Sequence, residues 1–449
     1  MASAIFVFCC ATNWQGAMSA PSSSSFLRAR HVEHTGGGAG SEALSRVMLG
    51  LEDLVAAGGV YIYHSDELLV AARAPALEWK SSRSVAAAAN TAELTSPLFP
   101  LSGGQGVDGL SQYGLDALLI RLLQDSPYTT DNPDTAALFV VPQYATFEAH
   151  WCMGGGSPLL ECSANISRDY LLPLVREVQR SSAYRRNNGR DHVWIFPWDS
   201  SWTLFPGAPE ALTTNLFWGY IGPSENVVIT PVTSRVAASV EVVERNTILG
   251  GNSERRFSTG LLARPGAVTA CVTLPPHKYL ASFAGTIHES RSYSKGLRQD
   301  LLATYPESTV DTTRVLILAR HMGIDEYSAM LRDSLFCLSP QGWTPWSQRL
   351  YYAIAAGCIP VFFDIPGFNV QLPYTTLLPW SAMSITVPVD QATRVHDVLR
   401  AVPPETVCRM RGLLAQMAPL LTWATSPHTA LMAALSEAWH RAANATSRK

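Results

Sequence analysis

Residues 334–373 read SLFCLSPQGWTPWSQRLYYAIAAGCIPVFFDIPGFNVQLP. The apolar run 335–338 has the length of a buried strand. Ser339-Pro340-Gln341-Gly342 breaks it and leaves backbone N–H groups free to face a ligand. Thr344 followed by Pro345 predicts an N-cap and first helical position, and Gly357 closes a helix over 345–356. A second strand follows at 358–363. The unit is therefore βαβ, with parallel strands, a right-handed crossover and a ligand expected at the carboxyl ends of the strands.

The same alternation extends outward. Val60-Tyr61-Ile62-Tyr63 suits an opening strand, and 112–123 carries leucines at helical spacing, at Leu115, Leu118, Leu119 and Leu122. Strands are expected at 136–142, 191–197, 226–231, 279–284 and 315–318, with a helix over 169–180. Helices at 405–417 and 427–443 end the chain and return to the first domain. Alternating strands and helices specify an α/β fold built on parallel sheets, and two such sheets facing each other make a cleft at their carboxyl edges.

With 449 residues, the chain exceeds one core. Periodicity is lost from 245 to 264, which divides it into a signal-like, flexible segment at 1–55, a first domain at 56–245, a crossing at 246–275, a second domain at 276–400 and terminal helices at 401–449. Within the first segment, 4–11 is an apolar run without a basic start, and 21–45 is rich in Ser and Gly, as a linker would be. At 47% hydrophobic and 15% charged, the composition excludes a disordered chain, and a formal charge of −3 argues against nucleic acid as a partner. The eight cysteines show no metal-binding spacing. Cys152 and Cys162 bracket a Gly-rich loop and pair in an oxidising compartment or stay reduced in any other. Gly154-Gly155-Gly156 lacks the following helix that a nucleotide fingerprint needs.

FCLSPQGWTPWSQRLYYAIAAGCIPVFF, followed by QLPYTTLLPW, resembles the signature of exostosin-like glycosyltransferases. Upstream pieces agree in order: YIY at 61–63, QY-x-x-D at 112–116, SPYTTDNPDTAALFVVPQY at 126–144, GRDHVW at 189–194 and SFAGTIHESRSYSKGLRQDL at 282–301. The collinearity runs from about 60 to 388. The resemblance implies two Rossmann-like domains of the glycosyltransferase-B type, the first binding a glycan acceptor and the second a nucleotide-sugar donor, here UDP-sugar. It also implies inversion by direct displacement; because arginines and helix N–H groups can neutralise a diphosphate without Mg²⁺, donor binding is expected to be metal-independent, with no cofactor besides the donor. A Golgi or secretory location, membrane association and complexes with other transferases are further expectations of it.

Direct displacement needs a base for the acceptor hydroxyl and stabilisation for the departing diphosphate. The diphosphate candidates are Gly285 at a strand end, Arg291, Arg298, Ser339, Gly342, and Ser347, Arg349 and Tyr352 on the predicted helix. Tyr352 stands where the family has a glutamate, and no carboxylate occurs between Asp333 and Asp364. That departure leaves a catalytically silent relative, binding glycan or supporting a partner transferase, as the alternative. The base candidates are Asp116, His192 and Asp199, with His150 and His288 behind them. Trp194, Trp198 and Trp202 are either sugar-stacking rings or core.

Overall fold

A computed structural model describes residues 36–72, 97–100, 106–108, 115–124, 126–199, 201–220, 227–228, 277–423 and 427–447. Twelve strands occur among them. They are β1 (Val60–Ile62), β2 (Pro97–Pro100), β3 (Gly106–Asp108), β4 (Leu138–Val141), β5 (His192–Phe196), β6 (Leu216–Gly219), β7 (Val227–Val228), β8 (Tyr279–Ala284), β9 (Val315–Leu318), β10 (Ser334–Leu338), β11 (Ile359–Asp364) and β12 (Ile385–Pro388). Two parallel five-stranded sheets result, ordered β1-β4-β5-β6-β7 and β12-β11-β10-β8-β9, with β2 and β3 as a separate antiparallel pair. The first sheet runs in chain order from edge to edge. In the second, the winding reverses between β8 and β10, which opens a crevice at their carboxyl ends, the position where open α/β sheets bind ligands.

The unit read from residues 334–373 is present: β10 pairs in parallel with β11, Phe336 beside Ile359. Its helix is shorter than predicted, Arg349–Ala355, with Gln348 before it and no side-chain cap. The Thr344-Pro345 signal fails because tertiary contacts hold that stretch as a loop: Pro345 O accepts from Gln371 N at 2.7 Å, and Trp346 stacks on Tyr220 with ring centroids 4.6 Å apart and planes 9° apart. Tyr220 follows the carboxyl end of β6 and Trp346 that of β10, so this stack joins the carboxyl edges of the two sheets.

Residues 36–55, expected as part of a flexible segment, are instead helical, in Gly36–Ala56. The Ser/Gly content of this stretch hid an apolar stripe, Ala43, Val47, Leu51 and Leu54, each no more than 2% exposed. The stripe packs on the terminal helices Pro404–Met417 and Pro427–Ser447. Each buried leucine there contributes about 1.5–3 kcal/mol. Small residues set the helix spacing: a Cβ on Gly50 would lie 2.2 Å from Ser436 Oγ, and one on Gly40 would meet Gln416. The last helix also carries the fully buried Glu437, which pairs with Arg441 and accepts from Thr376 N and Oγ1. It thereby fixes the loop that follows β11.

Two disulfides are described. Cys152–Cys162 closes the Gly-rich loop, one of the two outcomes left open by the sequence, and Cys337–Cys358 ties β10 to the start of β11, a pairing the sequence analysis did not anticipate. No helix among the described residues is long and apolar enough to cross a membrane.

Candidate active site

Two arginines meet at the crevice between β8 and β10. The guanidinium carbons of Arg298 and Arg349 each lie 5.1 Å from the Phe283 ring centroid, near the end of β8. Arg298 is 2% exposed. It donates to Thr286 O at 3.0 Å, beyond β8, to Pro340 O at 2.8 Å, beyond β10, and to the Tyr293 hydroxyl. This side chain ties together the two loops that border the crevice. Burial, with Arg349 nearby as a second cause, pulls its pKa down to about 9.

Arg349 opens the helix after β10 and is half-buried. Its Nε donates to Ala284 O at 3.0 Å, while its Nη atoms have no partner among the described residues. Its fork lies against Gly285, where a Cβ would stand 1.9 Å from Nη2. Only glycine admits the guanidinium here, and that explains the glycine at the end of β8. Neither arginine has a carboxylate partner among the described residues. Two cations held together without a carboxylate among the described residues are chemically suited to a ligand that brings negative charge of its own.

Polar groups surround the pair. Ser339 Oγ is buried with no partner, Gly342 O accepts from Ser294 N at 3.1 Å, and a Cβ on Gly342 would lie 3.4 Å from Arg298 Nη2. Ser347 is buried and its Oγ accepts from Arg349 N at 3.4 Å. Tyr352 packs edge-on to Tyr327 at 5.9 Å. Burial pushes the Tyr327 phenol up, against the pull of Arg349 and Arg298, so it stays a neutral hydroxyl beside them.

Arg291 does not join this group. It is exposed and makes a bidentate pair with Asp300, both N–O distances 2.8 Å. A left-handed run at Ser294, Lys295 and Gly296, with φ of 57°, 52° and 82°, separates it from Arg298 and breaks the helical spacing between them.

The base candidates fall at opposite ends of the first sheet. His192 opens β5 at its amino end and is fully buried. Its Nδ1 meets Asp191 Oδ1 at 2.7 Å, its Nε2 meets the Tyr63 hydroxyl at 2.9 Å, and the ring stacks on Phe139 at 4.6 Å. Burial lowers its pKa, opposed by Asp191. With both nitrogens engaged and the ring away from the carboxyl edge, His192 is a core residue rather than a base. Asp116 lies in helix Leu115–Gln124, and its side chain, like that of His150, is outside the described residues. Asp199 lies beyond the carboxyl end of β5. Its Oδ1 is shut off from solvent without a partner, and burial pushes its pKa up to about 6. A carboxylate poised there is ionised at neutral pH yet basic enough to take a proton.

Trp194 and Trp198 are core residues, and the Trp202 side chain is outside the described residues. Phe283, Tyr293, Tyr327 and Trp343 carry no signal in the sequence, because their place in the site comes only from what they touch. Among the described residues no three His, Cys, Asp or Glu side chains gather as a metal site.

The Exostosin GT47 domain profile matches residues 57–402. A probable glucuronosyltransferase, GUT1, of Oryza sativa subsp. japonica is 22% identical over 325 residues, covering 68% of each chain. A second probable glucuronosyltransferase of that organism is 25% identical over 357 residues, covering 75% of this chain and 74% of the relative. A probable beta-1,4-xylosyltransferase, IRX10L, of Arabidopsis thaliana is 24% identical over 322 residues, again covering 68% of each.

Proposed function

The chain belongs to the exostosin GT47 family of glycosyltransferases, and on that premise we propose that it transfers a sugar, with inversion, from a UDP-sugar to a glycan hydroxyl. The observation that carries this reading is the pair Arg298 and Arg349, two cations at a sheet-reversal crevice with no carboxylate partner among the described residues. Arg349 would grip the diphosphate through its unpaired Nη atoms, and Arg298 would hold the surrounding loops in place. The charge on the leaving group is met by these side chains and by backbone N–H groups, so the reaction is proposed to run without metal. Asp199, across the Tyr220–Trp346 contact on the first sheet, would take the proton of the acceptor hydroxyl. The two sheets would then act as the acceptor and donor halves of a glycosyltransferase-B arrangement. The two disulfides fit an oxidising compartment, and the proposed location is the secretory pathway, the Golgi included.

Calorimetric titration with UDP tests the donor site. Micromolar binding that is insensitive to a chelator and falls about 100-fold in Arg349→Ala supports it. No UDP binding by the folded protein would sink it. The named relatives make UDP-xylose and UDP-glucuronic acid the first donors to try, with product mass as the readout.

A further inference from the structure

We propose that Trp343, His288 and Tyr293 form the subsite that holds the sugar to be transferred, an inference that rests on the UDP-sugar reading above. The three rings come from the two loops that flank the crevice. His288 follows β8, Trp343 follows β10, and Tyr293 lies between His288 and Arg298 in sequence. They touch one another: His288 to Tyr293 at 4.4 Å, Tyr293 to Trp343 at 4.9 Å and His288 to Trp343 at 5.4 Å between centroids. Arg298 caps the inner end of the cluster, 4.9 Å from the Tyr293 centroid and bonded to its hydroxyl. The aromatic surface is therefore continuous with the cationic site.

The outer end is open. Trp343 and His288 are half-buried, and neither Trp343 Nε1 nor the His288 ring nitrogens have a hydrogen-bond partner among the described residues. Aromatic faces with unpaired polar groups at their rim suit a ligand with an apolar C–H face and hydroxyls around its edge, as a pyranose has.

Direction separates the sugar from the nucleobase. Trp343 is three residues before Trp346, whose ring stacks on Tyr220 of the first sheet. The loop that carries Trp343 is therefore the one that reaches the first sheet, and a sugar on Trp343 would be the part of the donor nearest that contact. Tyr327 and Tyr352, on the helices packed against the second sheet, touch each other and belong to a different apolar cluster from Trp346 and Tyr220. A donor laid with its diphosphate on Arg349 would point its nucleoside to Tyr327 and Tyr352 and its sugar to Trp343.

The test compares UDP with a UDP-sugar on Trp343→Ala and Trp343→Phe, using UDP-xylose and UDP-glucuronic acid as probes and circular dichroism to establish folding. In Trp343→Ala, UDP affinity should stay within about threefold, while KM for the UDP-sugar rises roughly tenfold or more, the loss of one stacked ring. Trp343→Phe should recover most of that, and His288→Ala should raise KM less than Trp343→Ala does. An unchanged KM in Trp343→Ala, with UDP still bound, overturns the subsite and leaves the donor site standing. Equal losses for UDP and UDP-sugar in the folded variant also overturn it, because the cluster would then only prop Arg298. Failure of the wild-type protein to bind UDP strikes the underlying reading instead.

Discussion

The two sheets have the same strand number and the same parallel direction, yet they differ in winding. Among the described strands the first keeps chain order across its whole width, while the second reverses between β8 and β10. The consequence is visible in the crossovers. Helix Leu297–Thr304, from β8 to β9, buries Leu297 and Leu301 on one face, and helix Ile324–Arg332, from β9 to β10, buries Met330 and Leu331 on the other. Loops that leave toward opposite faces part at the reversal, and Arg298 bridges the parting through Thr286 O and Pro340 O. Among the described strands the first sheet has no such parting, and beyond the carboxyl end of its β5 lies the buried carboxyl of Asp199. On the proposed function, one half would hold an anion and the other would take a proton.

Replacing that carboxylate gives the largest expected effect. Asp199→Asn should lower kcat by roughly 10²- to 10⁴-fold and leave UDP affinity within about threefold. In the wild-type protein, activity should fall as pH drops through about 6, because the base is then protonated. Stability moves the other way. A carboxyl whose folded pKa exceeds its ordinary value of 3.8 binds more protons folded than unfolded between pH 4 and 6, so it weakens the fold as pH rises through that window. Asp199→Asn should therefore raise the melting temperature at pH 7 and lose the gain below pH 4. Full activity in this variant would erase the division of labour between the sheets.

Gly285→Ala sharpens the other half of the comparison. Its Cβ would displace Arg349 Nη2, and UDP affinity should fall by roughly 10- to 100-fold. Combined with Arg349→Ala, it should add little, since both changes remove the same contact. Independent, additive losses would mean that the glycine serves some other purpose.

His192→Gln is expected to leave kcat within a few-fold and to destabilise the fold by about 2–4 kcal/mol, through loss of the Asp191 and Tyr63 bonds in the core. The folded pKa of His192 is depressed, so unfolding takes up a proton below about pH 6.5, and stability falls as pH drops there. That acid-side slope should shrink in His192→Gln, in a denaturation series run from pH 5 to 8. A collapse of kcat with stability intact would return His192 to the active site.

Position along a strand was legible in the sequence and separates the two residues. His192 precedes the apolar run of β5 and Asp199 follows it, and only the latter lies at the carboxyl edge, the edge that the Tyr220–Trp346 stack joins to the second sheet. The unit at 334–373 was legible because its strands are short, apolar and bounded by Pro and Gly; the first strand begins one residue earlier than read, and the second is shifted by one residue at both ends. The helix start was not, because Trp346 is held by Tyr220, more than a hundred residues away. The difference between Arg291 and Arg298 was also hidden. Seven residues apart, they suggest one helical face, but the left-handed run at Ser294 turns one to solvent and Asp300 and the other into the core. Non-glycine residues adopt that conformation only under tertiary constraint, here including the bond from Ser294 N to Gly342 O.

The disulfides give the finest distinction between the halves. Cys152–Cys162 closes a loop of 10 residues beside an exposed turn, and Cys337–Cys358 closes one of 21 that contains the whole crossover carrying Arg349. By loop closure alone the two differ little, each contributing about 3 kcal/mol. Their effects on the donor site should differ. Cys152→Ala with Cys162→Ala is expected to lower the melting temperature and leave UDP affinity unchanged. Cys337→Ala with Cys358→Ala should lower both, the affinity by a few-fold, because β10 and the helix it launches hold Arg349 against Gly285. Equal UDP affinity in the two double variants would show that strand pairing and the Arg298 bridge hold the crevice without the bond, and the second sheet would then need no covalent support to keep its reversal open.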